Sequence, residues 1–216
     1  MKILVIAPHN DDEVLGVGGT IARFASEGHE VIVCEVTSGD KNRWEKIYAE
    51  AQAAHKVLGV SQFIPLHLPV VDLRTTKTGE INSAFEKVVS EIKPEIVFIP
   101  HKGDMHSDHQ ETSNAAMVAL RPYNNPDLKA IYAYETLSET EWNIPSVENA
   151  FIPDTWVDIT EYIHVKLQAM EAYNSQLKEF PNPRSLEAIE ALSKFRGSTV
   201  GVKNAESFMT IRRILK

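Results

Sequence analysis

The sequence predicts an α/β fold, a Rossmann-like three-layer sandwich in which helices cover both faces of a mostly parallel sheet. Short apolar runs alternate along the chain with longer segments of helical periodicity. The runs are typical of strands buried on both faces. Each connection is long enough to hold a helix, and such crossovers are right-handed, so successive strands lie parallel.

Five strands are predicted from runs rich in branched apolar residues, and one or two more short strands are predicted within Phe151–Asp158. The five are Lys2–Ala7, Glu30–Val36, Gln62–Leu66, Glu95–Pro100 and Ala130–Tyr134.

The predicted helices have apolar residues at helical spacing, and most end before a glycine or a proline. Thr160 is the expected N-cap of the helix that it begins. The predicted helices are Asp12–Glu27, Trp44–Leu58, Ile81–Ile92, Ser107–Leu120, Thr160–Tyr173 and Leu186–Phe195.

The length of 216 residues favours a single domain. We expect residues 1–135 to form the Rossmann-like core and residues 136–216 to wall a pocket. The formal net charge of -8 argues against a protein that mainly grips nucleic acid, which needs a basic surface. The same charge suits attraction of a divalent cation.

Cys34 is the only cysteine, so no internal disulfide can form and nothing indicates an oxidising compartment. The N-terminal apolar run is too short for the core of a signal peptide. No run approaches the ~18 apolar residues of a membrane helix. We therefore expect a cytoplasmic protein without a membrane span.

Two clusters of polar residues follow predicted strands. His9–Glu13 reads His-Asn-Asp-Asp-Glu and follows the first strand, whereas His106–His109 reads His-Ser-Asp-His and follows the fourth. The first and fourth strands can be neighbours in a doubly wound sheet, and ligands bind beyond the carboxyl ends of its strands. The two clusters are therefore expected to meet in one crevice.

Imidazole nitrogens and carboxylate oxygens are ligands that zinc prefers, and a catalytic zinc takes three protein ligands and leaves one position open. His9, Asp12 and His109 are the candidate ligands. Taken singly, each cluster has a structural interpretation, because acidic residues commonly cap helices and loop histidines are commonly solvated.

Other residues of the clusters suit proton transfer. Asp11 is the candidate general base for a water molecule. His106 is a candidate acid or oxyanion stabiliser, and Asp108 is expected to hold His106 in the required tautomer.

The run Ala7-Pro-His-Asn-Asp-Asp-Glu13, followed by Gly16-Val-Gly-Gly19, resembles the signature of the PIG-L / LmbE-like zinc-dependent N-deacetylase family. Pro100–His109 resembles the second motif of that family. Weaker similarities extend over most of the chain, at Thr37–Asp40, Lys56–Gly59, Arg196–Ser198 and Ala205–Phe208.

The resemblance implies a Rossmann-like fold, a Zn²⁺ cofactor and N-deacetylation of an N-acetylglucosamine-type small molecule. It gives His9, Asp12 and His109 as zinc ligands, Asp11 as the base and His106 as the acid or oxyanion stabiliser. It also implies homo-oligomers, as trimers or hexamers.

The sequence departs from the family pattern at Asn10, where a proline is usual, and near Ile47, where many relatives have a substrate-binding arginine. Arg43, one helical turn earlier, is expected to replace that arginine. His101 and Asp104 are further candidates for binding sugar hydroxyls, although Asp104 is equally suited to capping the next helix.

Three alternatives remain open. A zinc amidase that cleaves another amide, such as a thiol conjugate, would use the same machinery. A nucleotide-binding Rossmann protein fits less well, because Gly16, Gly18 and Gly19 fall inside a helix and carboxylates occupy the turn where a pyrophosphate would bind. A metal-binding module without turnover would have no use for a base beside its ligands.

Overall fold

The structure, a computed structural model, describes residues 1–39 and 41–215, without the side chains of residues 41–43. Its described residues form a seven-stranded sheet. The strands are β1 (Lys2–Ala7), β2 (Glu30–Ser38), β3 (Gln62–Pro69), β4 (Ile96–Pro100), β5 (Ala130–Tyr134), β6 (Thr155–Asp158) and β7 (Ala205–Arg213).

The sheet order is β3-β2-β1-β4-β5-β7-β6. The first five strands of this order are parallel, whereas β7 runs antiparallel to both β5 and β6. The helices are α1 (Asp12–Ser26), α2 (Lys41–Leu58), α3 (Thr78–Ile92), α4 (Ser107–Ala119), α5 (Ile163–Ala172) and α6 (Leu186–Ser198).

Helices cover both faces of the sheet, as predicted. Successive residues of a strand point to opposite faces, and β1 shows the result. Ile3 and Val5 belong to an apolar core with residues of α1, α2, α5 and α6. Leu4 and Ile6 belong to a second core with residues of α3 and α4. The three-layer α/β sandwich is therefore confirmed.

The C-terminal third differs from the prediction in two respects. β7 was not predicted, and it extends the sheet so that residues 136–216 do more than wall a pocket. The fifth helix begins at Ile163, and its N-cap is Tyr162 rather than Thr160. Thr160 lies in a turn before the helix, where its backbone amide donates to Asp158 Oδ1 at 2.9 Å.

β1 and β4 are hydrogen-bonded neighbours, with Ile3 opposite Ile96 and Val5 opposite Phe98. Both strands run in the same direction, so the loops that leave their carboxyl ends meet at one edge of the sheet.

Among the described residues, no helix combines the length and the apolar composition that a membrane span needs.

Glycines in α1 allow the helix to approach the sheet closely. A Cβ placed on Gly16 would overlap the ring of Tyr134 and lie 3.0 Å from the carbonyl oxygen of Glu135. The Tyr134 ring cannot easily move, because it is fully buried and its hydroxyl donates to Ile6 O at 2.8 Å. Gly16 therefore serves helix–sheet packing, which agrees with the expectation that the glycines of this helix do not form a nucleotide site.

We expect Gly16→Ala to lower the free energy of unfolding by about 1–3 kcal/mol, the usual cost of overpacking a core. The measurement is chemical denaturation of the two proteins. Gly79→Ala is the matched control, because a Cβ at Gly79 meets no atom within 4 Å. A Gly16→Ala protein as stable as the Gly79→Ala protein would show that the helix does not need this close approach.

Candidate metal centre and its pocket

The loop after β1 has an unusual backbone at Asp11, whose φ of 95° lies in the left-handed region. The buried carboxylate of Glu13 supports this loop, because its Oε2 accepts a hydrogen bond from the Asp11 amide at 3.2 Å. Its Oε1 accepts from the Tyr173 hydroxyl at 2.6 Å and lies 3.1 Å from His55 Nε2. His55 of α2 and Tyr173, which follows α5, thus hold Glu13 in place, and Glu13 in turn supports the loop.

The three candidate ligands meet at the edge of the sheet. Asp12 Oδ2 lies 3.3 Å from His9 Nδ1 and 3.1 Å from His109 Nε2. One ligand atom from each residue lies within 4.8 Å of the other two. The structure therefore brings together His9, Asp12 and His109, although His109 is far from the other two in the sequence.

The free atoms of these residues fit a metal ion. Asp12 Oδ1 and His109 Nε2 are buried and have no hydrogen-bond partner. His109 Nδ1 lies 2.8 Å from Asp104 Oδ2, so in the neutral ring Nδ1 carries the proton and Nε2 offers its lone pair to a metal ion. Two imidazole nitrogens and a carboxylate oxygen form a donor set that suits zinc.

The electrostatics of the cluster favour positive charge. Burial alone would lower the pKa of His109, but the carboxylates of Asp12 and Asp104 outweigh it and raise that pKa to about 10. Burial alone would also lower the pKa of His9. The contacts of Asp108 and Asp12 with its ring outweigh burial and raise that pKa to about 9. The pKa of Asp12 is lowered, since the two histidines outweigh its burial. A cation would be stabilised by the same carboxylates.

Asp11 lies beside the ligands and is 1% exposed. Its Oδ2 accepts a hydrogen bond from Arg184 Nη1 at 3.2 Å, whereas its Oδ1 has no partner. Burial raises the pKa of Asp11 to about 8, and Arg184 opposes the rise. A free carboxylate oxygen next to the candidate ligands is what a general base requires.

His106 is the N-cap of α4, and its Nδ1 accepts the backbone N–H of Asp108 at 3.1 Å. We expected the carboxylate of Asp108 to set the tautomer of His106. That carboxylate instead lies 3.9 Å from Nδ1, beyond hydrogen-bond distance. The backbone of Asp108 sets the tautomer, because the Nδ1 lone pair is already used and the ring proton must lie on Nε2.

Two of the residues predicted to bind substrate, His101 and Asp104, are buried against other parts of the protein. Asp104 is fully buried behind His109, and its Oδ1 accepts from the Thr140 hydroxyl at 2.6 Å, so it is not open to a sugar. His101 is 5% exposed, and its Nε2 lies 3.0 Å from the carbonyl oxygen of Asn149. Burial and these protein partners argue against a sugar contact at either residue. The side chain of Arg43 lies outside the described residues.

A pocket of about 270 Å³ opens over the cluster. Three of its polar residues lie in the C-terminal part that was expected to wall a pocket, although the sequence did not single them out, namely Glu139, Gln176 and Arg184. Arg184 donates from Nε to Ser138 Oγ at 2.9 Å and from Nη1 to Asp11. A larger cavity of about 400 Å³ between residues 135–151 and α6 contains none of the candidate ligands.

Two histidines, a carboxylate and an adjacent free carboxylate thus meet where the parallel strands of a mostly parallel sheet end. The molecule is an α/β protein with a candidate catalytic metal site. The chain matches the PIG-L family, described as GlcNAc-PI de-N-acetylase, over residues 4–120. It belongs to that family.

Similar proteins agree with this assignment. The uncharacterized deacetylase YaiS of Escherichia coli (strain K12) is 31% identical over 182 residues, which covers 80% of this chain and 90% of YaiS. A probable N-acetyl-alpha-D-glucosaminyl L-malate deacetylase 2 of Bacillus anthracis is 27% identical, covering 81% of this chain and 80% of the relative. Both relatives bear the name deacetylase.

A solved structure has the same fold. The crystal structure of the conserved protein TT1542 from Thermus thermophilus superposes with a TM-score of 0.81 at 29% identity, covering 99% of this chain and 96% of that one. These similar proteins support neither the nucleotide-binding alternative nor the amidase alternative.

Proposed function

We propose that the protein is a zinc-dependent hydrolase that removes the N-acetyl group from an N-acetylglucosamine-type amino sugar or its conjugate. The observation that carries the proposal is the unpaired Asp11 Oδ1 beside the set formed by His9, Asp12 and His109. A base adjacent to an incompletely coordinated metal is the arrangement of metal-assisted amide hydrolysis.

A zinc ion held by His9, Asp12 and His109 would supply Lewis acidity, which acidifies a water molecule and polarises the acetyl carbonyl. Asp11 Oδ1 accepts a proton from the attacking water. The water oxygen bonds to the acyl carbon, and the C–N bond then breaks. Asp11 returns the proton to the departing nitrogen, so that acetic acid and a free amine leave.

His106 is assigned to the oxyanion. Its Nδ1 accepts the Asp108 amide, so the neutral ring has one N–H, at Nε2. A neutral imidazole cannot readily give up its last proton, but it can donate a hydrogen bond to the oxygen that gains negative charge. This assignment selects oxyanion stabiliser from the two roles predicted for His106.

The substrate class is inferred from the relatives and the pocket. The Bacillus anthracis relative is named for an N-acetylglucosaminyl conjugate of malate. The pocket beside Asp11 is lined by polar groups of Asn10, Glu139, Gln176 and Arg184, which can bind sugar hydroxyls.

The test is a substrate panel assayed with purified protein of measured metal content, reading free amine. The panel contains N-acetylglucosamine, its malate and inositol glycosides, and an N-acylated thiol without a sugar. We expect turnover of at least one acetylated amino sugar, lost after chelation and restored by zinc. Turnover of the thiol amide alone, or turnover that survives complete removal of metal, would contradict the proposal.

Two further expectations stay predictions. One is the cytoplasmic location, and the other is assembly into a trimer or hexamer.

A further inference from the structure

Asp108 is a fully buried carboxylate in the first turn of α4, and it contacts a candidate metal ligand. Its Oδ2 lies 3.1 Å from Nε2 of His9. The other ring nitrogen of His9, Nδ1, faces Asp12 at 3.3 Å. If Nδ1 offers its lone pair to a metal, the proton of the neutral ring lies on Nε2 and is donated to Asp108.

The same carboxylate is poorly placed to act on His106. Asp108 Oδ2 lies 3.9 Å from His106 Nδ1. That nitrogen already accepts the backbone N–H of Asp108, so it has no proton to donate to the carboxylate. The contact with His9 is therefore the hydrogen bond through which the Asp108 side chain can influence the site.

The loop after β3 fixes the Asp108 carboxylate from the other side. The backbone N–H of Val71 donates to Asp108 Oδ2 at 2.6 Å. Val71 has a φ of 69°, in the left-handed region that β-branched residues rarely adopt. Its side chain is 64% exposed and lines the pocket, so packing does not impose this backbone. The hydrogen bond to Asp108 is the contact that can hold it.

The second histidine ligand has an equivalent partner. Asp104 Oδ2 lies 2.8 Å from His109 Nδ1, whereas Asp12 contacts the other ring nitrogen. Metal-binding histidines commonly donate their other ring N–H to a carboxylate, which fixes the ring and increases its basicity as a ligand. Asp108 therefore contacts the ring of His9 in the same way that Asp104 contacts the ring of His109.

The structure assigns the Asp108 carboxylate as a positioning group for the metal ligand His9, and not for His106. The inference rests on the proposed function insofar as His9, Asp12 and His109 hold a metal. It goes beyond that function by giving Asp108 an effect on metal affinity that can be measured without substrate.

The experiment compares Asp108→Ala with His106→Asn. The asparagine keeps a side-chain oxygen that can cap α4, so it removes the imidazole without removing the cap. Zinc affinity is measured by competition with a chromophoric chelator, and the visible spectrum of the Co²⁺-substituted proteins is recorded.

We expect Asp108→Ala to weaken zinc binding by about 10–100-fold, as loss of such a partner does elsewhere, and to shift the Co²⁺ bands. His106→Asn should retain the wild-type affinity and bands. Equal affinity in wild type and Asp108→Ala, or equal losses in both variants, would overturn the inference. If Asp108→Ala does not fold, Asp108→Asn is measured instead; a smaller loss is expected, and an unchanged affinity overturns the inference.

His9, His106 and Asp108 also lie close enough to hold an ion of their own. A metal bound through Nδ1 of His106 would break the hydrogen bond from the Asp108 amide to that nitrogen. We therefore expect one zinc per wild-type chain, and a second equivalent that Asp108→Ala abolishes would overturn the inference. A wild-type protein that binds no zinc would instead refute the proposed function.

Discussion

Replacing Asp11 with asparagine is expected to lower kcat for deacetylation by at least ~10²-fold, the usual contribution of a general base, while the protein keeps its zinc. Asparagine preserves the size of the side chain and its oxygen contact with Arg184, but its amide cannot accept a proton from water. Asp11 makes no hydrogen bond to a candidate ligand through its side chain, so metal binding is expected to survive.

The measurement is steady-state kinetics on the best substrate of the panel, together with metal content of the same preparation. Asp127→Asn is the matched control, because Asp127 is exposed and precedes β5, at the opposite edge of the sheet. Wild-type kcat in Asp11→Asn would refute the assignment of the base. Loss of both activity and zinc would show instead that Asp11 acts on the metal.

His109→Gln is expected to abolish stoichiometric zinc binding and, with it, detectable deacetylation. His109 is one of three candidate ligands and is fully buried, so no water can easily replace it. Loss of a ligand should exceed the ~10–100-fold effect of losing a residue that merely orients one. Glutamine retains a group that can hydrogen-bond to Asp104, which limits the cost of leaving that carboxylate buried.

Zinc affinity and thermal unfolding are measured on the same samples. His164→Gln, at an exposed position of α5, is the control for the chemical change. Retention of one tightly bound zinc by His109→Gln would contradict the ligand assignment. A folded, zinc-free variant that still turned over substrate would contradict the whole mechanism.

The sequence predicted the five parallel strands well because each of them is locally encoded. β1 is an uninterrupted apolar run with all residues after Lys2 buried, and its pairing with β4 followed from the rules of parallel α/β sheets. The convergence of His9, Asp12 and His109 then needed only the positions of strand ends. Sequence reasoning works here because short-range patterns and chain topology decide the outcome.

β7 could not be predicted in the same way. Its residues Glu206 and Ser207 are polar but buried, which hides the alternation of an ordinary strand. Glu206 is satisfied only by distant groups, since it accepts the amides of Gly19 and Thr20 and pairs with Lys166 at 2.6 Å. Long-range polar contacts of this kind leave no local signal.

The partners of individual side chains in the site could not be predicted either, because they also depend on long-range contacts. Arg184 reaches Asp11 across 173 residues from a loop, and no periodicity marks it. The Asp104 side chain was expected to bind sugar hydroxyls or to cap a helix, but the fold turns it toward His109. The position of a side chain in a loop depends on tertiary contacts, so sequence supplied the residue types and not their partners.

The central claim is that one divalent cation binds between His9, Asp12 and His109. Crystals of the purified protein with zinc bound, measured on both sides of the zinc absorption edge, would locate the ion by its anomalous scattering. We predict a single strong peak at ~2.0–2.2 Å from His9 Nδ1, His109 Nε2 and a carboxylate oxygen of Asp12. A zinc-loaded crystal with no anomalous peak among these three residues would contradict the account.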